Sequence, residues 1–113
     1  MKQITEFTSS SYQTCNLPLE TREVVNFKLY FSPTQNSWYF DFAYNDVVSN
    51  GNILVLRANI LRSFKNRIPF GLMVTADNNI EPFAIDDFST GRVQVFVLNQ
   101  EEKDQLESVV FYD

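Results

Sequence analysis

Histidine is absent from the 113-residue sequence. That removes imidazole general bases, Ser-His and Cys-His catalysis and His-ligated metals together. Cysteine occurs once, as Cys15, so neither an internal disulfide nor a Cys-rich zinc site can form. No run approaches the ~18 consecutive apolar residues of a membrane span. The opening Met1-Lys2-Gln3-Ile4-Thr5-Glu6-Phe7-Thr8 also lacks the apolar core of a signal peptide. A free thiol without an export signal suits synthesis in a reducing cytoplasm. Basic residues are outnumbered, nine against fourteen acidic, which leaves a net charge of −5. Such a chain has no general attraction to phosphate backbones or anionic lipid, so neither nucleic acid nor membrane is an expected partner.

Glycine and proline are also scarce, three and four residues, and between them the dominant period is two. Val25-Asn26-Phe27-Lys28-Leu29-Tyr30-Phe31 places Val25, Phe27, Leu29 and Phe31 on one face of a half-buried strand. After the turn formers of 32–37, Trp38-Tyr39-Phe40-Asp41-Phe42-Ala43-Tyr44-Asn45 puts Trp38, Phe40, Phe42 and Tyr44 on one face. These two segments read as a β-hairpin. Ser49-Asn50-Gly51-Asn52 reads as a further turn, followed by a strand buried on both faces in the first half of the apolar run 53–61. Further strands are expected at 72–76 and 91–98, an irregular segment with anchoring aromatics at 82–88, and a short solvated helix at 100–108. The reading is all-β: a small antiparallel β-sandwich or barrel with a short C-terminal helix. Residues 1–11 read as a flexible N-terminal arm, and 12–113 as a single β domain.

The candidate chemistry is thin. Asp86-Asp87 is the only adjacent acidic pair near aromatics, but neighbours in an extended segment point in opposite directions and do not converge. Asp77, Asn78, Asn79 and Glu81 lack the spacing of a calcium loop and read as a β-turn. Cys15 has no activating base and reads as a small buried residue. No catalytic, cofactor-binding or metal-binding residue is therefore assigned, and the chain is not expected to be an enzyme or to carry a cofactor. What remains is contact chemistry. The bend over 62–70, with Arg62, Lys65, Arg67 and Phe70, and the segment 82–88, with Phe83, Asp87 and Phe88, combine apolar anchors with charge, as protein interfaces do. These seven residues are the candidate protein–protein contacts.

The order of the features carries a resemblance. The hairpin Phe27-Lys28-Leu29-Tyr30-Phe31 … Asn36-Ser37-Trp38-Tyr39-Phe40-Asp41-Phe42 is followed by Gly51-Asn52-Ile53-Leu54. Then come Ile60-Leu61, Ile68-Pro69-Phe70-Gly71-Leu72, the stretch from Pro82-Phe83 to Asp86-Asp87-Phe88, and a closing apolar strand, Val93 to Leu98. Over roughly residues 17–98 this resembles the small baseplate plug family of contractile-tailed bacteriophages, of the cyanophage type. The resemblance implies a non-enzymatic structural protein of the virion tail baseplate, made in the host cytoplasm. It also implies packing against the central hub and other baseplate proteins, in multiple copies around the tail axis. The alternative reading is a β-sandwich module that binds carbohydrate or peptide through exposed aromatics such as Tyr39.

Overall fold

The computed structural model describes residues 2–17, 25–57, 59–61, 64 and 67–109, with side chains as far as 106. Alternation builds the first sheet, an antiparallel meander of β2 (Tyr12–Leu17), β3 (Val25–Ser32), β4 (Ser37–Tyr44) and β5 (Val47–Ile53), following the two-residue β1 (Lys2–Gln3). In β3 as far as Leu29 and throughout β4 every second side chain is buried, so that Val25, Phe27, Leu29, Trp38, Phe40 and Phe42 are each no more than 2% exposed. Each aromatic or Leu side chain so buried contributes about 1.5–3 kcal/mol relative to exposure. Asn36, with φ 51°, ends the 33–36 turn of this hairpin, where an αL conformation suits Asn.

The second sheet orders β1-β7-β6, from β6 (Gly71–Ala76) and β7 (Val93–Leu98). It packs on the first as a β-sandwich around one shared core. Edge-to-face rings join the layers: Phe42 meets Phe70 at 6.5 Å and Tyr44 meets Phe70 at 5.5 Å. The chain passes between sheets at 54–60. The Leu54 amide still bonds Trp38 on the first sheet at 2.8 Å, while the Arg57 carbonyl and the Ile60 amide bond Val74 and Leu72 on the second. The C-terminal α1 (Gln100–Val109) starts at a capping box: Asn99 Oδ1 accepts the Glu102 amide and Glu102 Oε1 accepts the Asn99 amide. Lys103, 2% exposed, fixes the helix by donating from Nζ to the Ile68 carbonyl at 2.8 Å.

Three expectations change. The turn read at 49–52 lies inside β5: the chain reverses instead at Asn45-Asp46, where Asn45 has φ 52°. Gly51, with φ 72°, makes a β-bulge opposite Asp41, whose carboxylate accepts the Gly51 amide at 2.7 Å. The run after it is not buried on both faces, since Ile53 is 49% exposed and Leu54 only 2%. The N-terminal arm is docked: Lys2 and Gln3 pair with Val97 and Phe96, and Ile4 and Phe7 enter the core. Apolar residues at 4 and 7 suffice to anchor it despite the polar serines that follow.

Candidate functional site

The loop over 77–92 is built around one carboxylate. Asp87 is 2% exposed, and its Oδ2 accepts the Phe83 and Ala84 amides at 2.7 and 2.8 Å. Its Oδ1 accepts Arg92 Nε at 2.8 Å. Burial acts to raise the Asp87 pKa, but the Arg92 guanidinium and the two amides outweigh it and hold the carboxyl below the usual carboxylate range. Arg92 also donates to the carbonyls of Ile80 and Glu81, and its guanidinium lies 4.8 Å from the centre of the Phe83 ring. Trp38, fully buried, donates from its indole to the Ala84 carbonyl at 2.9 Å, and Phe88 packs edge-on against both Trp38 and Phe7. On the far side, Glu81 accepts the Leu56 amide at 2.8 Å. A loop held at so many points is rigid, and it turns three apolar side chains outward: Ile80, Phe83 and Ile85, exposed by 49%, 49% and 42%.

Sequence reasoning named this segment but not its division of labour. Phe83 is exposed, as a contact residue must be. Asp87 and Phe88 face inward and hold the loop, so they support the surface without forming it. Phe70, 1% exposed, is core and offers no contact area. Arg67 is exposed, while Arg62 and Lys65 lie outside the described residues. Ile80, Ile85 and Arg92 were missed. Arg92, five residues after Asp87, was the available signal for an ion pair closing a loop. Asp86 points outward, away from Asp87, so the pair does not converge. Among the described residues no cluster of acids and cysteine could hold a metal ion. Burial, and to a lesser degree the Glu6 carboxylate, pushes the half-buried Cys15 thiol up, which makes it a poor nucleophile.

The outer face of the first sheet carries an aromatic row. Register aligns Tyr12, Tyr30, Tyr39 and Ile53 across its four strands. The Tyr30 and Tyr39 rings stack at 5.9 Å with 18° between planes, so each covers one face of the other. Their hydroxyls are engaged as well, donating to Asp41 and Gln35. An open cleft of about 240 Å³ lies between Gln3, Thr5 and Phe7 on one side and Phe88, Thr90 and Val93 on the other. Among the described residues no titratable side chain lines it, and the Thr90 hydroxyl already donates to the Asp86 carbonyl.

In comparison with protein families, the model of the family described as cyanophage baseplate Pam3 plug gp18 matches residues 1–101. Comparison with curated proteins gives no match.

Proposed function

Because the chain belongs to the cyanophage baseplate plug family, we propose that it packs against the central hub of the tail through the rigid 77–92 loop. The family is structural, a part of the virion tail baseplate and not a class of enzyme, and membership implies association with other baseplate components. The observation that carries the finer reading is the outward display of Ile80, Phe83 and Ile85 on a loop locked by the Asp87–Arg92 pair. Exposed apolar groups on a preorganised loop supply a small anchor cluster whose ordering cost is met on folding, before the partner arrives. Arg67 is the proposed rim charge, with Arg62 and Lys65 as further contacts. In this proposal the chain is made in the host cytoplasm, acts without catalysis, and is repeated around the tail axis.

Mass spectrometry of washed particles tests the reading. The wild-type chain is expected in the finished virion. An Ile80→Asp, Ile85→Asp double variant should fold as the wild type does, by melting temperature and Trp38 emission, yet be depleted from particles. Equal retention of the double variant would refute the loop as the contact. Absence of the wild-type chain would refute the baseplate placement.

A further inference from the structure

A sandwich has four sheet edges, and in this chain three of them are blunted. At one edge of the second sheet, β1 is only two residues long. The other edge, along β6, is partly paired by the 54–60 crossing, through the Arg57 carbonyl and the Ile60 amide. In the first sheet, β5 carries the bulge at Gly51. Among the described residues, the edge along β2 has none of these devices. Its pairing with β3 runs over six consecutive residues without a register shift, and Tyr12-Gln13-Thr14-Cys15-Asn16-Leu17 contains no proline and no charge.

Register shows which groups that edge offers. The Phe31 amide bonds the Ser11 carbonyl at 2.9 Å, and antiparallel ladders alternate, so residues 11, 13, 15 and 17 face β3. Tyr12, Thr14 and Asn16 therefore aim their backbone groups away from the sheet, and all three are exposed. The Tyr12 carbonyl accepts the Ser10 hydroxyl at 2.9 Å. The three amides and the Thr14 and Asn16 carbonyls have no partner among the described residues.

We propose that β2 is a docking edge, and that its occupant is one extended strand donated by a different baseplate protein. The inference rests on the baseplate reading above. A second copy of the chain fits less well on two counts. It would set a second net charge of −5 against the first. Antiparallel self-pairing of β2 also requires a two-fold axis at the edge, which a ring of copies around a single tail axis does not contain. Head-to-tail pairing would need another open edge, and the remaining three are blunted. The strand that fits is uncharged where it crosses Tyr12, Thr14 and Asn16, with an apolar or aromatic side chain beside Tyr12, and basic residues flanking it to meet the acidic chain.

Thr14→Pro isolates the edge. The Thr14 amide faces outward, so proline there removes a docking donor and no bond to β3. In particles complemented with each variant, Thr14→Pro should melt as the wild type does but fall about tenfold or more in washed virions, as expected for losing one or two strand bonds. Thr14→Val should be retained. Should Thr14→Pro misfold, Asn16→Pro repeats the test, because that amide also faces outward. Retention of a folded proline variant at the wild-type level would overturn the proposal. So would a wild-type dimer in solution that the proline dissolves, since the edge would then belong to a second copy. Absence of the wild-type chain from particles fails the baseplate reading itself, and needs no variant to be seen.

Discussion

Removing the Asp87 carboxylate is the sharpest test of how the 77–92 loop is held. Asp87→Ala leaves the Phe83 and Ala84 amides without their acceptor and Arg92, whose side chain is 18% exposed, without its counter-charge. Hydrogen bonds to a charged group contribute about 1.5–3 kcal/mol each, and breaking one side of a buried ion pair costs about 3–5 kcal/mol. These figures overlap, because the same carboxylate makes all three contacts. The expected loss is therefore about 3–4 kcal/mol, a large share of the ~5–15 kcal/mol that holds a domain together. Urea denaturation reads it directly, and the melting temperature should fall by about 12 °C. The lone tryptophan reports the loop itself, since the Trp38 indole bonds the Ala84 carbonyl. Arg92→Ala and the double variant complete a cycle whose double loss should fall short of the sum by more than about 1 kcal/mol. A loss below about 1 kcal/mol for Asp87→Ala, or strict additivity, would refute the clamp. The pH dependence follows from the same group. The folded pKa of Asp87 lies below its unfolded value of about 3.9, so its stabilisation is complete above that value and is lost as pH falls through the folded pKa. Asp87→Asn should flatten the acid limb of the stability profile below about pH 4 and leave its slope between about pH 5 and 7 unchanged.

Two further outcomes test the core. Phe40→Ala, at a site 2% exposed and stacked 5.6 Å from Phe27, should cost about 3–5 kcal/mol by urea denaturation, and a loss under about 1 kcal/mol would put that face in solvent. Gly71→Ala sets a methyl group 3.0 Å from the Asn59 side chain. Asn59 Oδ1 accepts the Leu61 and Leu72 amides, so shifting it should cost about 2 kcal/mol, and an unchanged melting temperature would show that Asn59 yields freely.

The hairpin of β3 and β4 was legible because its alternation is strict and its inward residues are aromatic, so only one register buries them. The boundary of β5 was not. Asn50-Gly51 is chemically suited both to a turn and to a bulge, and only the reversal at Asn45-Asp46, which sets Val47 opposite Tyr44, decides which. β2 was missed because an edge strand with one solvated side can be polar at almost every position. Its burial rises only at Leu17, and without β3 beside it Gln13-Thr14-Cys15-Asn16 carries no pattern. The proposed contact surface was half legible for a related reason. Composition marks 82–88 as mixed aromatic and acidic, but whether Phe83 or Phe88 points inward depends on Asp87 turning the backbone back on itself. Phe70 follows a proline in a basic bend and looks like an interface anchor, yet it fills the gap between Phe42 and Tyr44.

The pairing of Lys2 and Gln3 with Val97 and Phe96 joins the earliest described residues to the last strand. On a ribosome these partners are made far apart in time. The meander from Tyr12 to Ile53 has only sequential neighbours, and all of it leaves the ribosome ahead of β6 and β7. The second sheet cannot close until Val97 has cleared the exit tunnel, so until then the apolar inner face of the first sheet has no layer above it. The half-made chain is thus a single sheet with one side greasy, and its safety from aggregation depends on how quickly the second half follows.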